Sequence, residues 1–116
     1  MKAISVTPYS LKDMAEWNSF VRRARNRIFF FKREYMEYHN DRFEDLSLIV
    51  RESNKTLALL PLNRNGKEAI SHGGLTFGGF IVDNRMTANK MMAVLEEVIS
   101  FLLSVGIYKL VYKAIP

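Results

Sequence analysis

Between Ser71 and Phe80 the sequence reads S-H-G-G-L-T-F-G-G-F, placing four glycines and a histidine between segments that otherwise look like ordinary strand and helix. Paired glycines let a backbone take positive φ or lie close against a ligand. An imidazole ordinarily titrates near neutral pH, so His72 in a substrate cleft could take a proton from an acceptor amine or hydroxyl. The same residues have a plainer use. The glycines can form a bulge that curves a sheet, and His72 can be hydrogen-bonded beside a turn.

Arg85 precedes Thr87, which has the chemistry of a helix cap. Arginine charge and the positive end of a helix dipole could together receive one anionic group, and a capped surface turn would use the same residues. His39 lies two positions before Asp41, a spacing that points helical side chains apart and suits a residue satisfied at a helix end. Phe29, Phe30 and Phe31 with Tyr35 and Tyr38 stand among arginines and could stack on bases, although aromatic residues at helical spacing usually face a core.

Other chemistry is excluded by what the chain lacks. There is no cysteine, hence no disulfide framework and no thiolate metal or redox site. Two histidines cannot make a histidine-rich zinc site, and Asp41, Glu44 and Asp45 do not follow calcium-loop spacing, so no metal is implied. Phosphate-loop, serine-elbow and H-E-x-x-H motifs are all missing. Lysine plus arginine number 17 against 12 acids, for a net charge of +5, and six of the cations fall between Arg22 and Arg33. That density suits a phosphate-rich partner such as nucleic acid, a nucleotide or an anionic lipid, or simply a solvated helix face.

At 116 residues, 48% of them hydrophobic, the chain is expected to form one domain around a single core. Residues 1–10 lack the basic start and long apolar run of a secretory signal. The most apolar helical stretch, Met91 to Val105, is too short for a bilayer and carries Glu96 and Glu97. A soluble, cytoplasmic protein with no membrane span is expected.

These residues must be positioned by a recognisable run of elements. Ala3 to Thr7 predicts a short strand stopped by Pro8. Ser10 with Asp13 resembles a capping box, and Met14, Trp17, Phe20, Val21 and Ala24 then recur at helical spacing. A second, shorter helix is predicted from about Lys32 to His39. Asp45 to Arg51 and Thr56 to Leu62 predict a β-hairpin around the polar turn Glu52 to Lys55, and Pro61 demands an edge, a bulge or an early end. Asn65-Gly66 predicts a type I′ turn into a strand from Glu68. Thr76 to Val82 continues or restarts that strand. Thr87 should cap a long helix burying Met91, Val94, Leu95, Val98, Leu102 and Val105, with Gly106 ending it before a strand from Ile107 to Ala114.

The order β-α-α-β-β-β-α-β predicts an α/β (α+β) fold: a mainly antiparallel sheet with helices packed on it and a last strand added by a crossover helix. That order resembles the first part of the GNAT acyltransferase fold. Trp17 to Val21, the run Tyr38-His39-Asn40-Asp41-Arg42-Phe43, Leu46-Ser47-Leu48, Leu60-Pro61 and Ser71 to Gly79 together resemble a bacterial GNAT-like group related to the Fem aminoacyltransferases, often linked to cell-wall or polysaccharide biosynthesis. The resemblance implies the amino-terminal half of an acyl- or aminoacyltransferase. Its acyl donor would be acyl-CoA or an aminoacyl-tRNA, with nucleic acid a partner only in the second case. The acceptor would be a small molecule, glycan or peptide.

On this reading His72 is the catalytic candidate, and Ser71, Gly73, Gly74 and Arg85 are the substrate-binding candidates. Two departures from the family pattern stand out. Acetyl-CoA users resemble R-x-x-G-x-G at the turn that receives the pyrophosphate, whereas Arg85-Met86-Thr87-Ala88-Asn89-Lys90 keeps the arginine and lacks both glycines. Family members also continue beyond the final strand, so the chain resembles an amino-terminal fragment. Catalysis would then need the missing half or a second copy, and the exposed terminal strand predicts a homodimer or a non-catalytic interaction module.

Overall fold

The structure, a computed structural model, describes residues 3–23, 44–71 and 80–112. Strand β1 (Ile4–Pro8) includes the proline at its end, where a missing N–H matters least. A short 3₁₀ turn, Leu11–Asp13, leads into α1 (Met14–Arg23). The Asp13 carboxylate accepts from both the N–H and the hydroxyl of Ser10 at 3.1 Å, so the capping signal in the sequence is realised. Trp17, Phe20 and Val21 are the buried face of α1 and pack on Ile49, Leu59 and Ile81.

The strands that follow are β2 (Glu44–Asp45), β3 (Leu48–Glu52), β4 (Lys55–Leu60), β5 (Leu62–Asn65), β6 (Glu68–Ser71), β7 (Ile81–Val82) and β8 (Lys109–Tyr112). They form two four-stranded sheets, ordered β1-β3-β4-β7 and β2-β5-β6-β8. Every pairing is antiparallel except β6 with β8. Helix α2 (Ala88–Ser104) is the crossover that makes that parallel pair. The expected mixed fold, mainly antiparallel with a strand added by a crossover helix, is therefore present.

Each of the two expected hairpin strands is divided. The stretch from Asp45 to Arg51 becomes β2 in one sheet and β3 in the other, and the run from Thr56 to Leu62 breaks at Pro61 into β4 and β5. The two breaks lie side by side. Ser47 clamps them: its hydroxyl accepts from Leu62 N–H at 3.2 Å and donates to Leu62 C=O at 3.4 Å, while its own N–H donates to Asp45 at 2.9 Å. Proline ends the ladder and serine supplies the replacement hydrogen bonds.

The Asn65-Gly66 expectation needs correction. Asn65 pairs with Glu68, so the central turn residues are Gly66 and Lys67 and only Gly66 takes positive φ, at 65°. Glycine first in a two-residue loop is the type II′ pattern. The type I′ pattern occurs instead between β3 and β4, where Ser53 and Asn54 have φ of 50° and 73°.

Leu48 and Val50 face α2 with Leu60, Leu62 and Ala69, while Ile49 and Leu59 face α1. Both faces of the central strands are covered, which explains their nearly continuous apolar sequence. Thr87 caps α2 by accepting from Lys90 N–H at 3.2 Å, and Gly106 at φ 85° follows its end. Val94, Val98 and Leu102 are buried as expected, but Leu95 is 36% exposed. One residue is 100° of helix rotation, which turns position 95 off the face that positions 94 and 98 set against the sheet. The final strand starts two residues later than expected, at Lys109, with Ile107 packed in the core ahead of it, and the expected end at Ala114 lies outside the described residues. The helix expected from Lys32 to His39 lies outside the described residues, as do the aromatic cluster and most of the basic cluster.

Candidate functional site

The two sheets part at one place. From Glu68 to Ser71, β6 runs beside residues 109–112 of β8. When the chain is next described, at Phe80, it has entered the other sheet, where Ile81 and Val82 pair with Leu59 and Ala58. Among the described residues β7 is then an edge of the first sheet and β8 an edge of the second. The carboxyl ends of the parallel strands β6 and β8, beside this change of sheet and here called the wedge, are where α/β sheets characteristically receive ligands.

The sequence candidates map onto this wedge unevenly. Ser71 is the last residue of β6, its backbone paired with Leu62 on one side and Tyr112 on the other. His72, Gly73 and Gly74 lie outside the described residues. Arg85 stands in the loop between β7 and α2, with its side chain 45% exposed.

Arg85 is held by intramolecular partners. Its Nε and Nη2 donate to Asp83 Oδ2 at 3.1 and 2.9 Å, its backbone N–H donates to Asp83 Oδ1 at 3.0 Å, and Nη2 also donates to the main-chain oxygen of Thr56 at 2.7 Å. Asp83 is buried. That burial, the largest single influence, raises its carboxyl pKa, but the side-chain and backbone hydrogen bonds to Arg85, with the charges of Arg85 and Arg23, outweigh it and hold the group below the usual range. Lys90 is likewise engaged, with Nζ 3.3 Å from Glu52 Oε1.

A second cluster adjoins the first. Arg51 forks onto Glu16, Nε to Oε2 at 3.0 Å and Nη2 to Oε1 at 2.8 Å, while Nη1 donates to Thr7 at 2.8 Å. Asp13 lies 3.6 Å from Arg51 Nη2, and the Thr56 hydroxyl donates to Glu16. The Arg51 hydrogen bond is the main influence lowering the Glu16 pKa, against the opposing effect of burial. The sequence reading missed this group because Glu16 and Arg51 meet only through tertiary structure. Its available signal was a guanidinium in a strand as apolar as β3.

A cavity of about 220 Å³ lies beside these residues, lined among others by Glu52, Lys55, Thr56, Arg85 and Lys90. Among the described residues no group of three or more histidines, cysteines or acids could hold a metal ion, and no helix is long and apolar enough to cross a membrane.

The loop does not fit the diphosphate of coenzyme A in the usual cradle. That cradle needs several free amides and close backbone approach. Here Thr87 occupies the Lys90 N–H, Arg85 is committed to Asp83 and Thr56, and Ala88 and Lys90 carry side chains where glycines would allow contact.

No family model and no curated protein matches the chain. Solved structures do. The ribosomal-protein-S18-alanine N-acetyltransferase from Escherichia coli superposes with a TM-score of 0.65 at 16% identity, covering 93% of this chain, which spans only 64% of that protein's length. A GNAT family acetyltransferase from Staphylococcus aureus gives 0.63 at 11% identity over 100% of this chain and 89% of that one. An aminoglycoside N-acetyltransferase solved in complex with CoA gives 0.60 at 9% identity, covering 100% and 80%. The two-sheet architecture, its parted strands and the crossover helix therefore give this chain the fold of the GNAT N-acetyltransferases.

Proposed function

We propose that the chain forms the donor cleft of an acyltransferase-type protein. The observation that carries this reading is the parting of β7 from β8 beside the start of α2. Edge strands offer N–H and C=O groups to an amide-containing arm, which suits a donor of the acyl-CoA class, and one neighbour of the same fold binds CoA. The donor is gripped through strand edges rather than through phosphate, because the loop ahead of α2 lacks the diphosphate cradle. An acceptor amine or hydroxyl attacks the thioester carbonyl and His72 takes its proton, while the carbon–sulfur bond breaks and coenzyme A leaves as its thiol. Ser71, Gly73 and Gly74 wall the cleft, and Arg85 fixes the loop at its mouth. An acceptor from cell-wall or polysaccharide synthesis, as in the Fem-related group, rests on the sequence motifs.

The test is a titration of the protein with acetyl-CoA, longer acyl-CoAs and aminoacyl-tRNA, followed by mass analysis of amine acceptors. Saturable acyl-CoA binding with acceptor-dependent thiol release supports the reading. Binding of aminoacyl-tRNA alone replaces the donor class, and binding of neither overturns the function.

A second reading, an interaction module that pairs with another copy, is favoured by β8: Leu110 on this edge and Tyr108 just ahead of it are 48% and 67% exposed.

A further inference from the structure

Seven large apolar side chains are exposed among the described residues, and four of them, Met92, Leu95, Ile99 and Leu103, lie on α2, each between 36% and 61% exposed. Exposed apolar residues scattered singly are ordinary. These four are not scattered. Their spacing of three, four and four residues gathers them within about 80° of helix rotation, in a stripe about 16 Å long. The stripe is centred about 100° round the helix from the line of Val94, Val98 and Leu102 that packs on the sheets. Helix α2 therefore carries a second apolar face, which its own protomer leaves half open.

We infer that this face binds a second copy of the chain, α2 packing antiparallel on α2. Apolar residues at three- and four-residue spacing are the pattern by which one helix interlocks with another. Identical stripes related by a two-fold axis are self-complementary. With the axis between Leu95 and Ile99, Leu95 meets Ile99 of the second copy and Met92 meets its Leu103, and the antiparallel sense sets opposite ends of the helix dipoles together. Asn89, Glu96 and Ser100, all exposed, border the stripe and supply the polar rim of such a contact. Beyond its first turn the charges of α2 are Glu96 and Glu97, which oppose nucleic acid and anionic membranes, whereas a membrane-bound helix carries lysine and arginine there. Two stripes with their rims cover roughly 1,000 Å², the threshold of a specific interface, so the dimer should form at micromolar concentration. The contact uses no residue of the proposed cleft or of β8.

The experiment combines sedimentation with cross-linking. The native chain should show a reversible monomer–dimer equilibrium at micromolar concentration. Ile99→Glu places an unpaired charge in the middle of the contact and should weaken association at least about tenfold, with the melting temperature of the protomer kept because the side chain is already half exposed. Leu110→Lys, which opposes pairing through β8, should leave this dimer in place. The chain has no cysteine, so introduced thiols report contacts between copies alone. An equimolar mixture of Met92→Cys and Leu103→Cys should join through a short thiol cross-linker. Neither variant should join to itself, since its two thiols stand about 16 Å apart along antiparallel helices. A native chain that stays monomeric, a dimer that Ile99→Glu leaves intact, a dimer lost with Leu110→Lys, or cross-linking of either variant to itself without mixed product overturns the inference.

Discussion

Thr56 accepts a hydrogen bond from Arg85 Nη2 on its main-chain oxygen, at 2.7 Å, and its hydroxyl donates to Glu16. One residue of β4 thus touches both polar clusters. The loop ahead of α2 and the amino-terminal half of α1 both reach that one residue. Groups that share a partner respond non-additively to substitution, so the two clusters form one network rather than two isolated ion pairs.

Glu16→Gln removes the acceptor that Arg51 engages at two nitrogens and leaves a mostly covered guanidinium with weakened partners. A loss of about 1 kcal/mol in unfolding free energy is expected, kept modest by solvent at the 34% exposed Glu16 side chain. Urea denaturation measures it. A double-mutant cycle with Thr56→Val should return a coupling distinct from zero, and strict additivity would show the link carries no energy.

Stability should fall in acid with a defined sign. Glu16 and Asp83 both have folded pKa values below their ordinary 4.5 and 3.8, so the unfolded chain binds more protons as pH drops through that region. Their contribution is fully present above the unfolded values and is lost as pH falls through the folded ones. The melting temperature of the native protein should be flat near neutrality and decline below about pH 4.5. That decline should be shallower in a Glu16→Gln, Asp83→Asn double variant; parallel curves would exclude these two groups as its source.

Two substitutions at positive φ should act in opposite directions. Gly106→Ala, at φ 85°, brings its β-carbon no closer than 3.6 Å to Arg64, so the cost is conformational and should be about 1 kcal/mol. Ser53→Gly relieves the φ of 50° and should stabilise the hairpin by up to about 1 kcal/mol. Thermal melts of both variants check the signs.

If β8 pairs with a second copy, the protein should sediment as a dimer, and Leu110→Lys should return it to a monomer, since lysine on an edge strand opposes pairing. A monodisperse monomer for the native chain at high micromolar concentration removes the interaction reading.

Local signals in the sequence located most elements. Ser10 with Asp13 and Thr87 with Gly106 are caps whose chemistry works within three or four residues, and the structure shows them in use. What the sequence hid was assembly. Nothing local in the stretch 45–51 says that Asp45 and Leu48 belong to different sheets, because the division depends on Ser47 meeting Leu62. Pro61 announced an interruption without saying that the neighbouring strand would break beside it. Asn65 misled for the same reason: glycine fixes the turn one residue later, and the partner strand sets the register. Of the proposed site, Ser71 and Arg85 were visible as residue types. The contact of Arg85 with Thr56 was not, since that residue comes from another strand, whereas its other partner, Asp83, is two residues away.

The crossover has a consequence for biosynthesis. β6 leaves its place beside β8 empty until α2 has been made and residues 109–112 have followed it from the ribosome. The first sheet and the α1 core can assemble from earlier segments, but the wedge has a single wall until β8 docks. Cleft formation is therefore among the late events of folding, dependent on a contact between residues 71 and 112 that are distant in sequence. A ligand that lies along both strand edges would bind only chains that have completed this step, and so would slow the undocking of β8.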